Sequence, residues 1–425
     1  METTIILTIV TVIMMILGVP IAVCLGLGAS IAILAMGRDI RLCPIMMFDA
    51  LDSFTLIAIP FFIFAGYLMA KGGMARRIFN FANAIVGWMR GGLGAVTVVA
   101  SAIFGGMSGS ASADAGGLGV ILIQEMTRHK YPLNYSAAIT LVTSCLSPII
   151  PPSIIAVVYG ICAGVSVAKI LLAGLLPGLL LAASFWATNY VIATKHGWGA
   201  STPFNWGQVL KAFKESILAI MTPVIILGGI LSGIVTPTEA SCVAVWWALI
   251  VCILVYKELK ISELPAMILD TARISGIVLF IVATASVVAQ LLTADYVPQV
   301  TGNFIASLTN NPYVGLGLVA IFLLFVGCVM EGIAAIIVLT PILLPVAKVW
   351  GVDPIHLGVI IVVTMAIGVM TPPVGVCLYI ICNLTGLSME DLSVSMLPFF
   401  PGMLVCIALL ILMPSISLVL INVFW

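Results

Sequence analysis

Charge is what this sequence has least of. Asp, Glu, Lys and Arg make up 8% of its 425 residues, against about 25% in an ordinary soluble domain. No polar stretch is long enough to form a soluble domain. The N-terminus, METTIILTIV, lacks a basic leader and a small-residue cleavage site, so the first apolar run reads as a retained span. The ten cysteines are scattered with no pair at CxxC spacing, which argues against a disulfide framework or a thiolate metal site. There is no HExxH, no Walker loop and no nucleophile elbow, so ATP hydrolysis and enzyme chemistry are not expected. Net charge is zero, and no nucleic-acid partner is expected. The three histidines, His129, His196 and His356, fall in loops or at a span edge and read as solvated. No Lys or Arg lies near the middle of a core span, so a bound anion would depend on helix termini, hydroxyls and cations.

Hydrophobicity fills the space that charge leaves. Apolar residues make up 63% of the chain and the mean hydropathy is +1.30. Runs of roughly 20 apolar residues, enough to cross a bilayer, recur from end to end. The reading is one polytopic all-α membrane domain. Spans are expected at about 4–17, 20–36 and 54–70, then an amphipathic segment at about 72–92 and a Gly- and Ser-interrupted run at about 93–128. A proline-broken span at about 134–164 and a continuous one at about 169–194 complete the first half, 1–194. After a polar linker at about 195–215, the order recurs in the second half, 216–425. Spans at about 216–234, 240–256 and 274–293 precede a weakly amphipathic segment at about 297–311. An interrupted run at about 313–349, a second broken span at about 355–384 and a last span at about 394–421 follow.

The recurrence can be checked residue by residue. Pro151-Pro152 matches Pro372-Pro373, Pro132 matches Pro354, Gly164 and Ser166 match Gly386 and Ser388, and Pro177-Gly178 matches Pro401-Gly402. Landmarks in one order with small gaps make an internal repeat. Lys and Arg are retained on the cytoplasmic side of membranes. With the N-terminus outside and both interrupted runs folded as re-entrant hairpins, only Arg38, Arg41, Lys169 and Lys348 of the sixteen fall outside. That arrangement also inverts the second half relative to the first.

Two stretches, IIPPSII and VMTPPVG, place adjacent prolines between apolar runs. A proline inside a helix costs about 3 kcal/mol. Non-helical backbone at membrane depth is tolerated only where it lines a cavity or is buried in protein, and paired breaks in a repeat mark a transporter's binding site. Packing kinks are the alternative, less suited to two breaks at matched positions. The hairpin tips agree. The first, GGMSGSASADAGG, offers Ser108, Ser110 and Ser112; small-residue helix packing is a compatible second reading. The second, GCVMEG, would contribute mostly backbone carbonyls. Two acids, Asp114 and Glu331, sit at these tips as possible proton or ion carboxylates, with helix capping slightly ahead as their role. Thr236-Pro-Thr-Glu239 reads as a capping box.

The order GVP, SGSASAD, SPIIPPSI, LLPGLL, GIVTPTEA, GCVMEG and MTPPVG resembles the large membrane subunit of tripartite ATP-independent periplasmic (TRAP) transporters, over about residues 5 to 420. The resemblance implies an elevator-type transporter of the ion-transporter superfamily, in a bacterial inner membrane. It implies sodium-coupled uptake of an organic acid, with no cofactor beyond the coupling ions. A periplasmic binding protein and a small membrane subunit, here a separate chain, are the implied partners. Carried onto this chain, one sodium site would draw on Ser108, Gly109 and Ser110 with Ser147 and Pro148. A second would draw on Gly327, Cys328 and Gly332 with Gly368, Thr371 and Pro372. Substrate would lie near Ser112, Ser153, Thr371 and Gly375. Sialic acid and C4-dicarboxylates are both substrates of the family, and the first hairpin leans toward sialic acid. The rival is a stand-alone carrier of the same fold, driven by sodium or by protons through Asp114 or Glu331.

Overall fold

The computed structural model describes residues 2–199, 203–297, 300, 309, 311–330, 332–373 and 375–424. Those residues are helical almost throughout, with no strand among them. Eight helices among them are long and apolar enough to cross a membrane. Large apolar side chains such as Trp246, Ile321 and Phe325 point outward, each about two-thirds exposed. A bilayer removes the cost that water would impose on such a surface.

The expected spans form as helices, although those expected at about 216–234 and 274–293 begin about ten residues earlier, at Trp206 and Leu264. The first half opens with Glu2–Ile16, Ile21–Ala35 and Phe54–Lys71. The second opens with Trp206–Leu231, Pro237–Val255 and Leu264–Ala294. Thr236 caps the second of these: its hydroxyl accepts from the Glu239 amide while the Glu239 carboxylate accepts from the Thr236 amide, the expected capping box. These helices pack with the halves exchanged. Ile21–Ala35 lies on Leu264–Ala294, and Ala58–Lys71 lies on Pro237–Leu249. The second helix of each half thus meets the third helix of the other, as a two-fold relation requires.

The second group of elements follows the same rule. The first hairpin runs up Gly92–Ser108 and returns through Ala111–Ala113, a π turn at Asp114–Leu118 and Gly119–Arg128. Its partner is the broken helix Leu133–Ser144 and Ile154–Ala163. The second hairpin is Pro312–Val329 and Gly332–Val349, beside the broken helix Pro354–Gly368 and Val376–Thr385. Ile154–Ala163 packs on the second hairpin's return helix, and Val376–Thr385 packs on the first hairpin's return. Both broken helices end in a left-handed glycine, Gly164 at φ +65° and Gly386 at φ +73°. Ser166 and Ser388 then cap the next helices, Val167–His196 and Met389–Met396. The Gly164/Gly386 and Ser166/Ser388 landmarks are therefore matched helix ends.

Several expectations are corrected. A helix at Leu42–Leu51 lies in a stretch to which no element was assigned. Its polar lead-in and Pro44 disguised it, although proline is tolerated in a first turn. The last span, expected at about 394–421, is two helices, ending at Leu412 and resuming at Ser415 around Met413-Pro414. The linker is shorter than 195–215, because helices reach His196 and restart at Trp206 under an Asn205 cap. His356 is buried, its Nδ1 3.1 Å from Ser417 Oγ, because the last helix folds over the start of Pro354–Gly368. His129 and His196 are exposed as expected, each against a backbone carbonyl.

The amphipathic segment at about 72–92 is the helix Met74–Val86, with Met74, Ile78, Phe79, Ala82 and Val86 on its buried face. It runs between Trp206–Leu231 and the first hairpin. Arg77 anchors its start, 2.6 Å from Glu258 Oε1 and 3.6 Å above the centre of the Tyr256 ring. Most of the matching segment, 297–311, lies outside the described residues.

Candidate functional site: two hairpin tips against two helix breaks

The tip of the first hairpin depends on one glycine. Gly109 ends Gly92–Ser108 at φ +60°, a conformation that L side chains resist. A Cβ there would stand 2.6 Å from the carbonyl oxygen of Pro152. Both the turn and its seat on the helix break therefore require glycine. Ser110 follows in extended conformation and caps the return, accepting weakly from the Ala113 amide at 3.5 Å. Its hydroxyl pairs with that of Ser112 at 3.0 Å.

Adjacent prolines open the first break between Ser144 and Ile154. The interruption frees backbone groups, and side chains partly occupy them. Ser153 caps Ile154–Ala163 by accepting from the Ala156 amide at 3.1 Å, and donates to the Pro148 carbonyl. Ser147 donates to Asp114 Oδ2 at 3.0 Å. Asp114 is 1% exposed. Ser110 supplies the cap expected of Asp114, whose carboxylate instead turns inward to the break. The capping reading of Asp114 is thus corrected. Ser108 Oγ is buried with no hydrogen-bond partner among the described residues, an opening for a ligand oxygen or a cation.

The second break is built mainly from backbone. Gly327 and Gly368 meet so closely that a Cβ on Gly327 would lie 2.9 Å from Gly368 Cα. The Gly375 amide donates to the Cys328 carbonyl at 3.2 Å, fastening the break to its hairpin. Gly375 adopts φ +50°. Thr371 returns its hydroxyl to the Ile367 carbonyl at 2.7 Å, and Cys328 turns its thiol to the Leu324 carbonyl. Glu331 lies outside the described residues.

All of these elements converge on a cavity of about 70 Å³. Gly109, Ser110, Ala111 and Ser112 of the first hairpin line one side, with Pro148 of the first break. Ile154 and Ile155 continue the wall, and Gly332 and Ile333 come from the second hairpin. Val369, Val376 and Cys377 close it from the second break. Of the residues expected at the site, Gly109, Ser110, Ser112, Pro148 and Gly332 reach this wall. Ser108, Ser147, Ser153, Gly327, Cys328, Gly368 and Gly375 support it from behind, all buried. Thr371 and Pro372 are half-buried at the second break, outside the cavity wall.

The apolar wall was missed from sequence. The Ile154-Ile155 pair adjoining the first proline break was the available signal. No Lys, Arg, Asp or Glu lines the cavity among the described residues. Its volume holds a few waters, or a cation with part of its hydration. Small-molecule pockets are typically about 300–1,000 Å³, so admitting an organic ligand requires these elements to separate.

Comparison with known proteins identifies the family. Residues 8–416 match the family model described as the tripartite ATP-independent periplasmic transporter, DctM component. The C4-dicarboxylate TRAP transporter large permease protein DctM of Pseudomonas aeruginosa is 38% identical, over 94% of this chain and 93% of its own. The sialic acid TRAP transporter large permease protein SiaM of Vibrio cholerae is 36% identical over 92% of both chains. The crystal structure of the Alcanivorax borkumensis YdaH transporter, at 14% identity, superposes with a TM-score of 0.59 over 86% of this chain and 85% of that one. The last comparison concerns the fold alone. This multi-pass membrane chain is a transporter permease subunit, with no enzyme among the relatives described, and it belongs to the DctM component family of tripartite ATP-independent periplasmic transporters.

Proposed function

We propose that this chain imports an organic acid across the bacterial inner membrane, coupled to sodium ions. The observation that carries the reading is the convergence of both hairpin tips and both helix breaks on one cavity with no cationic side chain among the described residues. A carboxylate there needs a neutralising charge, since burying an unpaired ion is strongly unfavourable. Sodium held by the orphaned Ser108 hydroxyl, Ser110 and nearby carbonyls such as that of Pro148 would supply it. Hard cations of this kind take oxygen ligands.

The relatives' printed substrates, a C4-dicarboxylate and sialic acid, are the first two acids to try. Ser112 is the residue assigned to substrate at the wall; Ser153, Thr371 and Gly375 hold the breaks that frame it. Asp114 and Glu331 are the carboxylates a proton-driven version would use.

Motion follows the two packing groups. The paired opening helices of the two halves form a scaffold, while hairpins and broken helices form a transport unit that moves against it as an elevator. Met74–Val86, wedged between Trp206–Leu231 and the first hairpin, is the arm joining them. In this reading 1–194 and 216–425 are inverted repeats, the N-terminus is periplasmic, and both hairpins are re-entrant. A periplasmic binding protein delivers substrate. The word "large" in both relatives' names supports a small membrane partner, taken here as a separate chain.

The test is uptake in proteoliposomes containing this chain and its small partner. Labelled sialic acid and succinate would each be supplied with a matching binding protein, with and without an inward sodium gradient. Uptake that requires both sodium and the binding protein is expected. Uptake without the binding protein, or driven by a pH gradient, would replace this reading with a stand-alone carrier.

A further inference from the structure

The two hairpin–break units match in backbone and differ, among the described residues, in buried charge. Gly105 packs against Ser147, a Cβ there lying 2.8 Å from Ser147 Cα; Gly327 packs against Gly368 in the same way at 2.9 Å. These paired contacts align the units without reference to side-chain chemistry. Nine residues after Gly105 stands Asp114; nine after Gly327 stands Ile336, also buried. Four residues before those glycines stand Ser101 and Leu323, and Ser147 itself faces Gly368 across the alignment. Among the described residues, polar groups at these matched positions are thus concentrated on one side of an otherwise two-fold arrangement.

Asp114 accepts from Ser147, with Ser101 close beside it. Ser101 in turn donates to Thr143 at 3.2 Å. No Lys, Arg or His forms an ion pair with Asp114 among the described residues. A buried carboxylate held only by hydroxyls lacks a cation. The orphaned Ser108 hydroxyl and the cavity-lining Pro148, directly after Asp114's partner Ser147, belong to the same unit.

We infer that Asp114 is the fixed counter-charge of the first-half cation site. It acts from behind the ligands, through Ser147, and makes that site bind sodium more tightly than the second-half site, where the described residues place Ile336 at the matching position. Asp114 is a positioning residue in this assignment and touches neither sodium nor substrate. The inference rests on the sodium-coupled reading above. It implies an order: the first hairpin is organised by sodium at low concentration, and the second only later. Unlike charges a few ångström apart in a protein interior interact strongly enough for about a tenfold effect or more.

Hydrogen exchange of the whole protein in lipid nanodiscs tests it. Sodium chloride would be titrated against choline chloride at constant ionic strength, following peptides from 94–118 and 320–340. In the unaltered protein, sodium should protect the first hairpin at a midpoint about tenfold below that of the second. Asp114→Asn should raise the first midpoint tenfold or more and leave the second within about twofold. Asp114→Glu and Asp114→Gln, equal in size, should differ in the same sense, with the charged variant binding more tightly. Equal midpoints in the unaltered protein would overturn the assignment without any variant. So would an unchanged first midpoint in Asp114→Asn, or an equal shift of both hairpins. Absence of any sodium response in either hairpin would instead overturn the sodium-coupled reading itself.

Discussion

The two hairpin tips solve one geometric problem by different chemistry. The first turns through a left-handed glycine, caps its return with Ser110, and leans on a break furnished with Ser147 and Ser153. The second meets its break glycine to glycine and is fastened by the Gly375 amide on the Cys328 carbonyl. Among the described residues, side-chain hydroxyls dominate one tip and backbone the other. A two-fold backbone therefore need not give two equal sites. Backbone carbonyls are available wherever a helix is broken, whereas hydroxyls and a carboxylate must be encoded at each position.

Substitutions can sharpen or break that contrast. The largest effect is expected for Gly109→Ala. A left-handed alanine costs about 1–2 kcal/mol, and its Cβ would sit 2.6 Å from the Pro152 oxygen, adding about 1–3 kcal/mol of overpacking. Thermal unfolding should reveal the full loss, and proteoliposome uptake should fall at least about tenfold, since 1.4 kcal/mol corresponds to a factor of ten in an equilibrium. Gly327→Ala adds a Cβ 2.9 Å from Gly368 Cα without a left-handed backbone, so about 1–3 kcal/mol is expected. A larger cost at Gly327 than at Gly109 would reverse the ranking of the tips.

Smaller effects probe the hydroxyls. Ser110→Ala removes a cap and should cost about 1 kcal/mol, together with a raised sodium requirement for uptake; an unchanged requirement would separate the cap from the ion site. Thr143→Val removes the hydroxyl that accepts from Ser101 and leaves Asp114 as the group beside it, a loss of about 1 kcal/mol. Among the described residues, its counterpart Thr364 bonds only to carbonyls of its own helix, those of Ile360 and Ile361. Thr364→Val should therefore cost no more than about 0.5 kcal/mol. Denaturation of the two valine variants side by side measures the asymmetry directly, and equal losses would contradict it.

Much of this site was legible because its causes are local. Adjacent prolines break a helix wherever they occur, so IIPPSII and VMTPPVG located both interruptions. Thr236 and Glu239 form their capping box as spaced, and Ser166 and Ser388 cap where the repeat predicted matched ends. Ser110 was expected at the tip, and it lines the cavity. Asp114 was singled out as an acid of the hairpin, and its partner Ser147 lies 33 residues away. No spacing rule connects the two. Local signals also misplaced His356, whose burial depends on the last helix folding back, and joined two helices across Met413-Pro414 because both flanks are equally apolar.

Hydropathy, proline and glycine positions and capping residues were enough to establish a helical membrane protein, its internal repeat, its two hairpins and its two breaks. Each depends on a residue and its near neighbours along the chain. Packing settled which apolar residues face inward. Ile154, Ile333 and Val376 wall the cavity, while Ile321 and Trp246 face outward, though all five suit an apolar helix equally well. Lipid and protein core are similar environments for such side chains, so hydropathy cannot separate them. The exchange of partners between halves brings both hairpin tips and both breaks to one cavity, through contacts between residues far apart in the chain.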